Sequence, residues 1–170
     1  LGARLLFRET DVVMCPLPLF HVFAAYPILM SMLGSGAHVV FPTPAGYRGD
    51  GVMDNLWKLI DRWKVTYLVT VPTAISALLQ RPVNADIKTL RGAFSGSAPL
   101  PVDLFNRFEK ITGVQIVEGY GLTESSPVIA FNRMETYKLG TVGQAAPGVE
   151  VRIADDGEIQ VRGAMLLRAY

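Results

Sequence analysis

The chain has 170 residues, of which 50% are hydrophobic and 18% are charged, and its formal net charge is +1. This length and composition fit one α/β domain, or one domain with part of another, and they exclude a disordered chain. The near-neutral charge gives no basic surface for nucleic acid. The single cysteine, Cys15, excludes an internal disulfide and, with two histidines, the usual cysteine/histidine zinc site.

The first part of the chain contains a long uncharged stretch, in which no Asp, Glu, Lys or Arg occurs from Val12 to Tyr47. A membrane-spanning helix needs about 20 apolar residues without interruption, whereas several prolines and glycines divide this stretch. We therefore expect a strand, a helix and a strand, all buried, and no transmembrane span. Charged residues precede the stretch without a cleavage pattern, so no secretory signal is expected.

Strands and helices alternate along residues 11–118. Strands are predicted at residues 11–17, 37–41, 66–71, 90–94 and 114–118. Helices are predicted at residues 23–33, 55–64, from 73 to before Pro82, and at 102–112. Such an alternation predicts an α/β fold with a mostly parallel sheet and helices on both of its faces.

Helical spacing and end signals predict details of these helices. The apolar side chains expected to face inward are Leu56, Ile60 and Trp63 in one helix and Leu104, Phe105, Phe108 and Ile111 in another. Gly34 and Gly36 are expected to close the first helix, Thr73 to act as an N-cap, and Gly113 to end the helix at 102–112.

The pattern changes after about Met134. Short strands are predicted at Val142 and at residues 149–153 and 158–161, with Asp156-Gly157 as a hairpin turn. We expect a partial α/β subdomain over residues 1–136 and the start of a β-barrel-like subdomain over residues 137–170. Because the chain lacks an initial methionine and stops just after an apparent strand, we expect a fragment of a longer protein.

Three segments follow predicted strands at the edge where open parallel sheets bind ligands, namely residues 16–21, 95–99 and 118–124. In the third segment, Gly119 and Gly121 allow close approach of a ligand, and Tyr120 offers a face for stacking a base. The Thr123 hydroxyl can donate to a phosphate, and Glu124 can hold Mg²⁺. An ordinary glycine turn with a surface glutamate explains this spacing equally well, and the dinucleotide fingerprint fails because Glu124 replaces its last glycine.

The other two segments are less specific. Residues 95–99 are small and could seat a flat ring or a carboxylate, although an ordinary tight turn is the simpler interpretation. Ser35, Ser95 and Ser97 all fail the nucleophile-elbow pattern. His21 lies between Phe20 and Phe23, which favours a buried core histidine over a gate or proton donor beside an apolar substrate. No phosphate-cradling loop occurs in the sequence.

Taken together, these segments resemble the AMP-forming adenylate enzymes, most closely the fatty acyl-CoA synthetases. The matching motifs are Pro18-Leu19-Phe20-His21, Gly96-Ser97-Ala98-Pro99, Tyr120-Gly121-Leu122-Thr123-Glu124 with Pro127 and Val128, Gly140-Thr141-Val142-Gly143 with Pro147-Gly148, and Gly157-Glu158-Ile159-Gln160-Val161-Arg162-Gly163. They occur in the family's order and cover essentially the whole chain. The resemblance therefore outweighs the interpretation of the third segment as an ordinary turn.

The resemblance implies two half-reactions, in which a carboxylate attacks ATP to give acyl-AMP and coenzyme A then displaces AMP. ATP, Mg²⁺ and coenzyme A are the implied cofactor and substrates. The implied catalytic residues are Thr123, Glu124 and His21, with Glu124 as the Mg²⁺ ligand. The implied nucleotide-binding residues are Gly96, Ser97, Ala98, Pro99, Glu118, Gly119, Tyr120, Gly121, Leu122 and Thr123. The implied acyl pocket comprises His21, Phe23, Ala98, Gly119, Pro127 and Val128.

The same resemblance limits the class of acid that the protein could activate and leaves alternative functions open. No acidic residue occurs between Asp11 and Asp50, which favours a fatty or aromatic acid over an amino acid. Aromatic acid–CoA ligase, luciferase-like enzyme and non-catalytic nucleotide-binding module remain as alternatives. The family's phosphate loop would precede Leu1, and its ribose-binding aspartate and catalytic lysine would follow Tyr170. The fragment alone is therefore expected to be inactive. We expect small-molecule partners and a cytoplasmic location, with peripheral membrane association and oligomeric state left open.

Overall fold

The computed structural model describes residues 7–167. Within these residues the strands are β1 Val12–Met14, β2 His38–Val40, β3 Tyr67–Thr70, β4 Gly92–Ser95, β5 Ile116–Gly121, β6 Val128–Phe131, β7 Gln144–Ala145, β8 Val149–Ile153 and β9 Ile159–Gly163. The α-helices are α1 Ser31–Ser35, α2 Val52–Arg62, α3 Pro72–Leu78 and α4 Val102–Thr112. A π-helical segment, Ala24–Met30, leads into α1, and short 3₁₀ turns lie at Gly46–Arg48, Thr123–Ser125 and Met134–Thr136.

Seven strands form one sheet in the order β2-β1-β3-β4-β5-β6-β7. The strands from β2 to β5 pair in parallel, whereas β5 with β6 and β6 with β7 pair antiparallel. The strands β8 and β9 form a separate antiparallel hairpin. The predicted mostly parallel α/β sheet is confirmed, and β5 is the strand at which the pairing direction changes.

Hydrophobic side chains cover both faces of this sheet. On β3, Leu68 belongs to a core cluster with residues of α2, α3 and α4, while the neighbouring Val69 belongs to a second cluster with Ala24, Ile28 and Met32. Alternate residues of a strand point to opposite faces, so the π-helical segment and α1 cover one face and α2 to α4 cover the other.

The first helix is less buried than expected, because Tyr26, Met30 and Leu33 are exposed by more than half. The expectation of a wholly buried stretch was wrong here. Pro27 lies inside the segment, and its missing N–H cannot join a regular α-helical ladder. The helix is π-helical at that point. It ends at Gly36, which has a left-handed φ of 73°, so Gly36 and not Gly34 is the stop.

Three details of the helix predictions were wrong. Trp63 is 43% exposed because α2 ends at Arg62, and Trp57 is buried in its place. In α4, whose bounds were predicted correctly, Ile111 is 47% exposed while Phe108 is fully buried. Thr73 is not an N-cap, because Pro72 already occupies the first helical turn.

In the C-terminal part of the chain, the predicted hairpin is confirmed, whereas one predicted strand lies at a different position. Gly157, with a φ of 90°, closes the turn between β8 and β9. Val142 is not in a strand, and β7 lies two residues later. Because β7 pairs with β6, the large sheet takes one short strand from residues 137–170. The subdomain boundary itself stays a prediction. In the part of the chain that the structure describes, no helix is long and apolar enough to cross a membrane.

Candidate functional site

The three segments predicted to share a sheet edge line one cavity of about 310 Å³. His21 and Phe23 come from the segment after β1, Gly96 and Ser97 from the loop after β4, and the entire run from Glu118 to Glu124 from β5 and the turn after it. Pro127 and Val128 close the cavity at the start of β6. The predicted convergence at the carboxyl ends of the parallel strands is therefore found.

Two predicted residues lie outside this lining, and several lining residues were not predicted. Ala98 and Pro99 are exposed residues of the loop after β4 that do not line the cavity. The lining residues that sequence reasoning missed are Phe7, Val22, Pro27, Ile28, Phe94, Val117, Phe131 and Asn132, whereas Ser95 belongs to the predicted segment 95–99. Most of them are apolar, and the sequence alone cannot distinguish them from residues of the hydrophobic core. Asn132, a polar residue directly after the apolar strand β6, was the one available signal, and the structure buries it.

The shape of the turn after β5 depends on Gly121 and Ser125. A Cβ atom at Gly121 would overlap the Pro127 carbonyl, so no larger residue fits. The Ser125 hydroxyl accepts a hydrogen bond of 2.9 Å from the Leu122 N–H and also lies 2.9 Å from the Pro127 carbonyl oxygen. These contacts fold the chain back on itself. Thr123 and Glu124 are thereby presented at the exposed rim of the cavity.

The loop after β4 forms the opposite wall. A Cβ atom at Gly96 would lie 3.3 Å from the Phe23 ring, so the absence of a side chain lets this ring pack directly on the backbone. The next residue, Ser97, has a φ of 69°, a left-handed conformation that is unfavourable for residues with a side chain. The wall of the cavity thus includes a strained turn.

His21 is exposed rather than buried, which contradicts the interpretation as a core histidine. Its backbone carbonyl accepts hydrogen bonds of 3.1 Å from the N–H groups of Ala24 and Ala25, which begin the π-helical segment. These bonds fix the His21 backbone at the start of the helical segment, and the residue lines the cavity.

Glu118 is the buried charged residue of the site. It is 7% exposed, and its Oε1 accepts a hydrogen bond of 3.0 Å from the Leu100 N–H. Burial raises the pKa of the carboxyl, while the hydrogen bond from Leu100 opposes that shift. Its backbone carbonyl accepts a bond of 2.9 Å from the Asn132 N–H. Both ends of the residue are thus fixed to the scaffold.

The side chains at the cavity rim can bind Mg²⁺ only if a phosphate supplies further oxygen ligands. Among residues 7–167, no group of three His, Cys, Asp or Glu side chains could hold a metal ion. Glu124 supplies one carboxylate at the rim. Mg²⁺ is commonly held by one or two carboxylates together with substrate phosphates and water, so the residues fit a metal that arrives with a nucleotide.

Comparison with known proteins agrees with this geometry. Residues 2–170 match the AMP-binding enzyme family. The chain is 33% identical over 156 residues to a marinolic acid–CoA ligase of Pseudoalteromonas sp. (strain SANK 73390), covering 89% of this chain and 24% of that protein. It is 31% identical over 183 residues to a long-chain-fatty-acid–CoA ligase of Yersinia pestis, covering 99% of this chain and 31% of that protein.

A solved structure shows the same fold. The crystal structure of an anthranilate CoA ligase in complex with anthranoyl-AMP superimposes with a TM-score of 0.81 at 27% sequence identity, covering 97% of this chain and 34% of that one. The chain thus spans 24% to 34% of the length of these relatives. Sequence, fold and the family match over almost every residue lead to the same conclusion: the chain belongs to the AMP-binding enzyme family.

Proposed function

We propose that the chain is part of an acyl-CoA synthetase, which activates a fatty acid with ATP to acyl-AMP and then transfers the acyl group to coenzyme A. The observation that carries this proposal is the single cavity that unites Tyr120, Thr123 and Glu124 with an apolar interior. The relatives named as CoA ligases support the reaction class.

The nucleotide would bind along the turn after β5. Tyr120 is half-buried and can stack its ring on adenine. The exposed Thr123 hydroxyl can donate to a phosphate oxygen, and Glu124 can hold Mg²⁺ bound to the same phosphates. Bound Mg²⁺ would neutralise charge as pyrophosphate leaves. Exposed Ser97 can offer its backbone N–H group from the loop after β4, while Gly119 and Gly121 let the ligand approach the backbone.

The acid would bind in the interior, below the rim. His21 would sit beside the carboxylate, and Phe23, Pro127 and Val128, which line the same cavity, would contact the rest of the acid. Among residues 7–167, no lysine or arginine that would bind a second carboxylate lines the cavity. An apolar interior of this kind suits the hydrocarbon part of a fatty acid.

An aromatic acid is the second candidate substrate. Phe23, Phe94 and Phe131 all line the cavity, and the rings of Phe94 and Phe7 pack edge to face with their centroids 5.3 Å apart. Such rings can pack against an aromatic substrate. The ligand of the related structure, anthranoyl-AMP, supports this alternative. A cytoplasmic location and the subdomain boundary near residue 136 also stay proposals.

The test is ATP–pyrophosphate exchange by a full-length protein that carries this chain, assayed with fatty and aromatic acids. Glu124→Gln should lower the rate of acyl-AMP formation on the order of 100-fold, because charge stabilisation of the departing pyrophosphate is lost. Thioester formation from supplied acyl-AMP should change little, since no pyrophosphate leaves in that step.

Glu150→Gln is the matched control, because Glu150 lies in β8, is exposed and does not line the cavity. Equal losses in both half-reactions would contradict the role of Glu124 as a metal ligand. Absence of exchange with every acid would contradict the proposed function.

A further inference from the structure

The loop that forms one wall of the cavity has few bonds of its own. In the described part of the chain, neither Ser97 nor Ala98 takes part in a backbone–backbone hydrogen bond. Both residues and Pro99 are exposed, and Ser97 has an unfavourable φ of 69°. A strained and exposed turn keeps one conformation only where its surroundings fix its ends.

The start of the loop is fixed by strand pairing and packing. Ser95 pairs with Thr70 of β3 and with Glu118 of β5 in the parallel sheet. The following Gly96 is covered by the Phe23 ring. The geometry of the first residue of the loop is thus set by the sheet.

The end of the loop is fixed by Glu118. Leu100 is 6% exposed, and its N–H donates to Glu118 Oε1 at 3.0 Å. Because Glu118 is the sheet partner of Ser95, one residue of β5 holds both ends of the loop, by its strand pairing at Ser95 and by its side chain at Leu100.

A stacked pair of aromatic rings, Phe105 and Tyr137, lies in the neighbourhood of the Glu118 carboxyl. The Tyr137 ring stacks on Phe105 of α4 at a centroid distance of 5.3 Å, and its buried hydroxyl makes no hydrogen bond among the described residues. Burial and the nearby carboxyl of Glu118 raise the pKa of Tyr137 to about 12. Tyr137 is thus a neutral side chain in the neighbourhood of the Glu118 carboxyl.

We propose that Glu118 is a positioning residue, which holds the loop from Gly96 to Leu100 in the conformation that borders the nucleotide and the acyl group. The effect of this role on catalysis rests on the proposed function. The role differs from direct contact with the nucleotide, because the Glu118 carboxyl acts through the Leu100 N–H.

The first test measures amide hydrogen exchange in the 170-residue chain without any ligand. In the unsubstituted chain, the Leu100 amide should exchange more slowly than the amides of Ser97 and Ala98. Glu118→Met, which fills a similar volume but cannot accept this bond, should accelerate Leu100 exchange on the order of 10-fold. Glu118→Gln keeps an acceptor oxygen and should retain the protection. Glu109→Gln, on the nearby helix α4, is the control and should leave the exchange unchanged.

The second test uses a full-length protein that carries the chain and measures acyl-AMP formation. Glu118→Met should lower kcat on the order of 10- to 100-fold, since small displacements of a positioning group carry losses of this size. Glu118→Gln should restore most of kcat. A merely structural residue would lower thermal stability without a loss of kcat in the folded fraction.

The outcomes separate the two proposals. Unprotected Leu100 in the unsubstituted chain, or a KM for ATP that rises equally in the Gln and Met variants, would overturn the positioning role. If the unsubstituted full-length protein shows no exchange activity with any acid, the proposed function fails. The amide-exchange result then still decides whether Glu118 holds the loop.

Discussion

At the scale of single residues, burial decides which side chains can react. Cys15 follows β1 and is 1% exposed, whereas His21, six residues later, is exposed at the cavity rim. The sequence places both in the same uncharged stretch, and their different environments result from the direction in which the chain leaves the sheet. Composition alone could not distinguish them.

Cys15 should resist thiol reagents until the chain opens. Burial raises the pKa of its thiol to about 11, so roughly one molecule in a thousand carries the reactive thiolate at pH 8. We expect labelling by an aromatic disulfide reagent at pH 8 to be at least about 100-fold slower than labelling of a short cysteine peptide. Labelling in urea should reach the peptide rate. Fast labelling of the folded chain would show that Cys15 is accessible.

At the scale of helices and strands, end signals determined how well the sequence predicted each element. The bounds of α4 were predicted to the residue because Gly113 marks its end and the apolar spacing marks its inner face. The start of α2 was missed because Gly51 precedes it in place of a capping side chain. The π-helical segment was not predictable, since its geometry depends on how Pro27 is accommodated against the sheet.

The two faces of α4 offer a direct test of this helix. Phe108→Ala should lower the free energy of unfolding by about 3–5 kcal/mol, because Phe108 is fully buried and its loss leaves a cavity. Ile111→Ala, on the exposed face, should cost less than about 1 kcal/mol. Urea unfolding followed by circular dichroism measures both values. Similar losses at the two positions would mean that the helix packs differently from the structure.

At the scale of the whole molecule, the sequence predicted which segments meet at the carboxyl ends of the strands. It did not predict the hydrogen bonds that join those segments. Strand–helix alternation predicted the parallel sheet, and the carboxyl ends of its strands predicted the meeting of the three segments. The bond from Leu100 to Glu118 joins residues that are 18 positions apart, and no local pattern indicates it. The burial of Trp57 instead of Trp63 likewise depends on where α2 ends against the sheet.

The site also adjoins a second cavity of about 410 Å³, which shares Pro27, Pro127 and Val128 with the first. In the proposed acyl pocket, Val128→Phe should obstruct long acids more than short ones, because the added volume would fill space that only a long chain reaches. We expect the kcat/KM of a full-length protein for long straight-chain acids to fall roughly 10- to 200-fold, with little change for short acids.

Val149→Phe is the control for this variant, since Val149 lines the second cavity alone. Like Val128→Phe, Val149→Phe should leave activity with short acids unchanged. It should lower activity only for acids that are long enough to reach the second cavity. Equal losses for short and long acids in the Val128 variant would show that Val128 is a packing residue.

The crowding at Gly121 affects how mutational surveys of this protein would be interpreted. A Cβ atom there overlaps the Pro127 carbonyl, so every replacement displaces the turn that presents Thr123 and Glu124. A survey scored on growth or turnover would therefore rank Gly121 beside the residues that touch ligands, although Gly121 contributes no side chain. A survey scored on protein abundance would separate the two groups, since steric overlap reduces the folded population whereas loss of a ligand contact does not.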